Sequence, residues 1–185
     1  MTQPRPRTRR ADRPPPPPES CTARAVDALA RRAYARVELG QHLLRKGFTE
    51  PVVTEALARL ADRGYLDDLA YARGFVHSRM TGRAFGPRRV RTELARRGVA
   101  PALVDQVLAE RAADAESAPE DGALVAGRRR MGALRGLAPD VARRRLVGWL
   151  VRRGFGMGES MRAARQLLAA SASAADDPGC VDPED

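Results

Sequence analysis

The chain has 185 residues, of which 43% are hydrophobic and only 4% aromatic, so it can bury a core made mainly of Leu, Val and Ala. Its formal net charge of +10 favours anionic partners, a class that includes nucleic acid, acidic protein surfaces and nucleotide-bearing filaments. Lys46 is the only Lys among the 33 basic residues, a bias that indicates a GC-rich genome. The abundance of Arg by itself therefore identifies no ligand.

Composition also restricts the compartment. Cys21 and Cys180 have neither metal-ligand spacing nor a neighbouring His cluster, which favours a reduced intracellular protein over a disulfide scaffold. No apolar run reaches the length of a membrane span, and the Arg/Pro-rich start lacks the apolar segment of a secretory signal. We expect a cytoplasmic protein that does not interact with a membrane.

Both ends of the chain have the composition of disordered segments. Residues 1–21 are rich in Arg and Pro, and residues 171–185 carry five acids and no base. We predict disordered tails over both ranges and a strongly basic ordered body between them.

One helix-ending pattern occurs three times. It consists of a Leu, any residue, two basic residues, a Gly and an apolar residue, and its glycines are Gly47, Gly98 and Gly154. The Leu belongs to a core, the cations oppose the helix dipole, and the Gly adopts the left-handed cap. Because the copies lie 51 and 56 residues apart, we predict an all-α fold of three tandem three-helix repeats in an elongated curved array, over residues 22–66, 67–112 and 113–170.

The first repeat has predicted helices over residues 23–33, 37–46 and 50–63. Its third helix carries an apolar stripe of helical period, and the same stripe recurs 51 residues later. The corresponding pairs are Val52 and Leu103, Val53 and Val104, Ala56 and Val107, and Leu57 and Leu108.

A second pattern joins the first two repeats. It consists of Gly64, Tyr65, Leu66, Asp67 and Asp68, followed further on by Gly86 and Pro87. Gly64 ends one helix, and Asp67 or Asp68 can accept the free amide hydrogens of the next first turn. Pro87 suits the first turn of a helix because its missing amide hydrogen forfeits no helical bond there.

The third repeat follows a connection at about residues 112–121 that we expect to be flexible. Its predicted helices span residues 124–134, 139–153 and 157–168. The last helix matches the repeat least well, and three glycines within residues 154–158 lower its expected stability.

No pattern of residues in the sequence indicates catalysis. The adjacent Asp67 and Asp68 are better explained by helix capping than by acid-base chemistry, and His42 and His77 are single histidines on different repeats. No nucleophile triad, phosphate-binding Gly loop or metal-ligand set is present in the pattern of residues. We expect a protein that is not an enzyme and that binds no cofactor or metal.

The basic clusters of the third repeat have two interpretations. They form a solvated helix face in an Arg-rich protein, or they contact phosphates or carboxylates of an extended partner. The candidate partner-binding residues are Arg128, Arg129, Arg130, Arg143, Arg144, Arg145, Trp149 and Arg152. Trp149 aligns with Glu93 and His42 of the other repeats, and its ring suits packing at the core edge or anchoring of a partner.

The residues from Gly64 to Val76, together with the run from Gly86 to Val99, resemble the central signature of the RecX regulatory proteins. The resemblance covers roughly residues 23–168. One departure is Ala35, which stands where the family often has a Ser that could cap the helix.

The resemblance implies a function. It implies a regulator that binds the RecA recombinase: RecX proteins lie in the groove of the RecA filament on DNA or block filament growth, and so lower ATP hydrolysis and strand exchange by RecA without catalysis of their own. Such a protein acts in DNA recombination, DNA repair and the SOS response. The resemblance leaves weak DNA binding open, and we expect a monomer.

Two other classes share the same features. A helix-turn-helix protein acting directly on duplex DNA would also have three-helix units and a basic charge. Such a groove reader needs Arg with polar base-reading neighbours on one exposed helix, whereas here Arg recurs mostly at helix ends. An adaptor or scaffold is the third class.

Overall fold

A computed structural model describes residues 16–116 and 121–173, and these residues form nine α-helices and no strand. The all-α repeat fold predicted from the sequence is thereby confirmed. The helices are α1 (Ser20–Arg31), α2 (Arg36–Arg45), α3 (Glu50–Asp62), α4 (Asp68–His77), α5 (Pro87–Ala95), α6 (Pro101–Glu116), α7 (Gly122–Met131), α8 (Pro139–Arg153) and α9 (Met157–Ser173).

The helices belong to two compact units. Among the described residues, the first unit comprises residues 16–71 with Arg97–Val99, and the second comprises Ala72–Arg96 with residues 100–116 and 121–173. Each unit has its own hydrophobic core.

The core of the first unit lies among α1, α2 and α3. Leu39 and Leu43 from α2 meet Leu57 and Leu60 from α3, and the thiol of Cys21 is buried beside them. Burial also raises the pKa of the Cys21 thiol. The 3.6-residue stripe expected on the third helix is thus the surface that closes this core.

The two aspartates that follow α3 both cap helices, but not the same helix. Asp67 Oδ1 accepts from the amides of Leu69 and Ala70 at 2.8 and 3.0 Å and so caps α4. Asp68 Oδ1 instead accepts the Arg36 amide at 2.7 Å, at the start of α2. Because Ala35 has no side-chain oxygen, the Asp68 carboxylate provides a cap that the N-cap residue of α2 cannot.

The remainder of the joining pattern has separate roles. Gly64 has φ +73°, as its helix-ending position requires, and Leu66 is buried in the first core. Tyr65 is 63% exposed, so its ring contributes little to the core.

The core of the second unit is centred on α7, α8 and α9. Leu146 and Leu150 from α8 are fully buried, with Ala163 and Ala164 of α9 and the ring of Phe155. The small alanines allow close approach of the helices, which suits a chain with few aromatic residues. Helices α5 and α6 pack together in the same unit, where Val90, Leu94 and Val104 are buried.

Most predicted helix boundaries lie within a few residues of the observed ones, and there are four differences. Helix α1 begins at Ser20, inside the range predicted to be a disordered tail, because Cys21 is buried against the core. A π-helical turn (Ser78–Gly82) follows α4, a short 3-10 helix (Gly132–Leu134) follows α7, and α9 continues to Ser173, beyond the predicted start of the acidic tail.

Three predicted features fall wholly or partly outside the described residues. They are the Arg/Pro-rich tail up to residue 15, the connection at residues 117–120 and the acidic tail from residue 174. Within the described ranges, no helix combines the length and apolar character needed to cross a membrane.

Candidate functional site: two equivalent junctions

Two of the three helix-ending glycines are pressed against the start of an earlier helix. Gly98 and Gly154 have φ values of +79° and +97°, in the left-handed region. A Cβ on Gly98 would lie 2.4 Å from Val37 Cβ, and one on Gly154 would lie 2.4 Å from the backbone nitrogen of Arg89. Both positions therefore need Gly for conformation and for close approach.

These contacts define two junctions, one inside each unit. The Glu38 junction, in the first unit, consists of Arg32, Tyr34, Glu38, Arg97 and Gly98. The Arg89 junction, in the second unit, consists of Phe85, Gly86, Arg89, Arg153 and Gly154.

Backbone hydrogen bonds hold the Arg89 junction together. The Gly86 amide donates to the Arg153 carbonyl at 2.9 Å, and the Arg88 amide donates to the Gly154 carbonyl at 3.1 Å. A Cβ on Gly86 would lie 2.4 Å from the carbonyl carbon of Gly154. The last carbonyls of α8 thus satisfy amides at the start of α5, which explains the Gly that precedes Pro87.

In the Glu38 junction one carboxylate joins two guanidinium groups. Arg32 donates to both oxygens of Glu38 at 3.0 and 3.2 Å, and Arg97 donates to Oε1 at 2.9 Å. The Arg32 guanidinium also lies 3.6 Å from the centre of the Tyr34 ring. Burial alone would raise the pKa of Glu38, but the hydrogen bonds and charges of the two arginines outweigh it and lower that pKa.

The Arg89 junction repeats this arrangement without the carboxylate. At the 51-residue offset, Arg89 takes the place of Glu38 and Phe85 that of Tyr34. The Arg89 guanidinium lies 4.0 Å from the centre of the Phe85 ring, and Arg153 lies 5.1 Å from the same ring. Two guanidinium groups, those of Arg89 and Arg153, are therefore neighbours here, whereas in the Glu38 junction the guanidinium groups are neighbours of a carboxylate.

Arg153 shows the electrostatic consequence. Burial lowers its pKa, and the positive charges of Arg89 and Arg129 lower it further. Its guanidinium donates to the Arg83 carbonyl and lies 4.5 Å from the Trp149 ring. Among the described residues, no carboxylate lies within ion-pair distance of Arg153.

An open cleft of about 350 Å³ lies beside the Arg89 junction. We call it the arginine cleft, and its lining residues are Arg88, Arg89, Thr92, Glu93, Arg96, Val151, Arg152 and Gly154. Glu93 forms ion pairs with Arg89 at 3.1 Å and with Arg79 at 3.4 Å. The other three arginines of the lining are exposed and have no ion-pair partner within residues 16–116 and 121–173.

The candidate residues named from the sequence occupy several places. Arg152 lines the arginine cleft, and Trp149 is half-buried against the second core with Arg153 over its ring. Arg129 donates to the Gly82 carbonyl at 3.1 Å, and Arg143 pairs with Asp140 at 2.9 Å. The remaining four, all exposed and none in the lining of the cleft, are Arg128, Arg130, Arg144 and Arg145.

Sequence reasoning missed most of the cleft. Arg88 and Arg89 lie on α5 and Arg96 follows its last residue, in a segment whose sequence indicated only a family signature. The available signal was the 51-residue register, in which a Glu of the first repeat becomes Arg89 in the second. That exchange of charge at an equivalent position marks the place where the repeats diverge in surface chemistry.

Taken together, the described residues define an all-α protein of three-helix modules with a cleft lined by arginines. Two family models match it: the first three-helix domain of RecX over residues 21–60 and the second three-helix domain of RecX over residues 67–108. The Regulatory protein RecX of Streptomyces coelicolor is 33% identical over 163 residues, which cover 88% of this chain and 85% of that protein. The chain belongs to the RecX family, and the resemblance inferred from its motifs is confirmed.

Further relatives agree in name and differ in coverage. The Regulatory protein RecX of Thermobifida fusca is 34% identical over 167 residues, covering 87% of this chain and 88% of that protein. The Regulatory protein RecX of Pseudomonas putida is 42% identical over 86 residues, and the match spans only 54% of its length. The crystal structure of RecX from Lactobacillus salivarius superposes with a TM-score of 0.68 at 16% identity, covering 83% of this chain and 97% of that one, which shows a shared fold.

Proposed function

We propose that this RecX-family regulatory protein binds the RecA recombinase filament and modulates it, mainly by inhibiting its ATP hydrolysis, filament growth and strand exchange. The observation that carries the proposal is the match to proteins named Regulatory protein RecX over 88% of the chain. The regulator acts by binding and has no catalysis of its own.

The distribution of charge supports a binding role. The body between the tails is strongly basic, and exposed arginines occur on α5, α7 and α8. Guanidinium groups suit both carboxylates of a protein surface and phosphates of bound nucleic acid. The arginines of α7 and α8 named from the sequence, together with Trp149, are our candidates for contact with the filament.

The test is the rate of ATP hydrolysis by RecA on single-stranded DNA, with this protein titrated below the RecA concentration. We expect the rate to fall, and filaments viewed by electron microscopy to shorten, because one bound regulator affects a stretch of neighbouring subunits. Unchanged hydrolysis and filament length, combined with tight and sequence-dependent binding to duplex DNA, would favour a helix-turn-helix DNA-binding protein instead.

Charge-reversed variants in the same assay test the candidate residues. Reversal of Arg143, Arg144 and Arg145 together should weaken inhibition and reduce its dependence on salt, because fewer counterions are then released on binding. A reversed Arg24 and Arg31 pair on α1 is the comparison, since both residues are exposed helix arginines of the first unit. Equal inhibition by all variants would remove α8 from the contact surface.

A further inference from the structure

The arginine cleft concentrates positive charge that the described part of the chain leaves unbalanced. Arg88 on α5, Arg96 just after α5 and Arg152 on α8 line it, and none of them has an ion-pair partner among the described residues. Behind them, Arg153 is crowded by Arg89 and carries a lowered pKa. Holding like charges together in this way costs free energy that a bound anion would recover.

The Glu38 junction shows what such a group of cations can hold. There, the Glu38 carboxylate accepts three hydrogen bonds from two arginines and is only 18% exposed. The Arg89 junction retains the equivalent helices, glycine and aromatic ring, but the internal carboxylate has been replaced by a further cation. A carboxylate from outside the chain would restore the balance that the first unit achieves internally.

The aromatic rings near the cleft argue against nucleic acid as its occupant. Single-stranded nucleic acid is commonly bound by exposed rings on which bases stack. Here the Phe85 ring is covered by Arg89, and Arg153 lies over the ring of Trp149. A volume of about 350 Å³ is at the small end of the range for ligand sites, which suits a few acidic side chains.

We propose that the arginine cleft binds an acidic peptide segment of a partner protein, whose carboxylates accept hydrogen bonds from Arg88, Arg96 and Arg152. The Glu93 carboxylate lies in the lining and stays paired with Arg89, so the segment is held toward the other three arginines. The inference rests on the proposed function only in taking the partner to be a protein.

The experiment measures binding of a short fluorescent oligoglutamate peptide to the full chain by anisotropy. The double variant Arg88→Gln/Arg152→Gln should weaken binding by at least about tenfold, because it removes charge-assisted hydrogen bonds from both sides of the cleft. The control Arg24→Gln/Arg31→Gln removes the same charge from exposed positions on α1 and should change binding by less than about twofold. Thermal unfolding followed by circular dichroism verifies that both variants are folded.

Three results would overturn the proposal. An equal loss in both double variants would mean that only net charge attracts the peptide. Tighter binding of a single-stranded oligonucleotide, lost in the cleft variant alone, would assign the cleft to nucleic acid. Peptide binding that develops only after residues 174–185 are removed would assign it to the acidic end of this same chain.

The experiments distinguish failure of the cleft proposal from failure of the proposed RecA inhibition. No filament protein is present in the peptide assay, so a negative result there leaves inhibition of RecA untouched. Conversely, loss of the inhibition expected for RecA, with cleft-dependent peptide binding intact, would leave the cleft assignment standing.

Discussion

The Glu38 junction and the Arg89 junction share a close glycine contact and an arginine over an aromatic ring, but they differ in their electrostatics. In each, a left-handed Gly that ends one helix contacts the start of an earlier helix, and a guanidinium lies over an aromatic ring. In the first unit a carboxylate joins two arginines, whereas in the second an arginine takes its place. A close glycine contact can therefore recur while the neighbouring side chain changes from a carboxylate shared by two arginines to an arginine that pairs with Glu93.

The glycine contacts and the charged side chains restrict the choice of residue to different degrees. The glycine contacts leave no room for a Cβ, so any other residue must displace the Val37 side chain at Gly98 or the Arg89 backbone at Gly154. The charged side chains lie beside these contacts and are not part of the steric overlap, so their identity is less constrained than that of the glycines. The close glycine contact thus recurs at both junctions of this chain, and the charge beside it does not.

The largest effect is expected from adding a methyl group to the contact glycines. Gly154→Ala should destabilise the second unit by about 3 kcal/mol, because it combines left-handed strain with overlap against the Arg89 backbone. Gly98→Ala should do the same to the first unit through Val37. Urea unfolding followed by circular dichroism gives the free energies.

Gly136→Ala is the matched control for both variants. Gly136 also has a positive φ, +74°, but a Cβ there would meet no atom within 4 Å. Only the left-handed strain, on the order of 1 kcal/mol, should remain. A cost for Gly154→Ala no greater than that of Gly136→Ala would contradict the close contact at the Arg89 junction.

An intermediate loss of stability is expected from neutralising Glu38, the carboxylate that only the first junction has. Glu38→Gln should lower the free energy of unfolding by about 1–2 kcal/mol, because Arg32 and Arg97 both lose their counter-charge. The control is Glu55→Gln, which removes an exposed pair with Arg59 on α3 and should cost only a few tenths of a kcal/mol.

The pH dependence of the free energy of unfolding tests the role of Glu38 a second time. The pKa of Glu38 is lower in the folded protein than its ordinary value of 4.5, so its contribution to stability is present above pH 4.5 and is lost as the pH falls through the folded value. The difference between the original chain and Glu38→Gln should shrink over that acidic range. A difference that stays constant below pH 4.5 would show that the Glu38 carboxylate is not the stabilising group.

The smallest effect on stability is expected when a carboxylate is introduced into the Arg89 junction at the position that Glu38 has in the first unit. Arg89→Glu places a carboxylate at the position equivalent to Glu38 and removes a cation that lowers the pKa of Arg153. It also loses the Arg89 pair with Glu93, so the net gain should be only about 0.5 kcal/mol, and it should decline with added salt.

Arg144→Glu is the comparison, since it makes the same charge change at an exposed position of α8 outside the cleft. The free energies of unfolding of the two variants should be compared at low and high salt. A gain from Arg144→Glu equal to that from Arg89→Glu would show that overall net charge, and not the junction, is responsible.

Much of the fold could be predicted from sequence because its signals are local. Helix boundaries follow from apolar period and from glycines, and the capping role of Asp67 follows from its place before α4. The second capping interaction could not be predicted in this way. Asp68 caps α2, which lies 32 residues earlier, and no local pattern identifies such a partner.

The candidate site was predictable only in part, for the same reason. Arg152 was named because it stands in a basic run, and it does line the cleft. Arg88 lies on α5 and Arg96 directly follows it, and their charges look like those of an ordinary solvated helix face. Only the packing of α5 against the end of α8 brings them together with Arg152.

By itself, the sequence determined the helical repeats, the glycines that end three of the helices and the family to which the chain belongs, since all of these rest on short-range patterns and on spacing. The tertiary structure alone decided which glycines are contact points and where positive charge is left unbalanced. Gly47 shows the difference: it has the same motif as Gly154, but a Cβ there would meet only Pro16 at an ordinary 3.4 Å. Steric exclusion and charge pairing act between residues distant in the chain, so they exist only once the helices have packed.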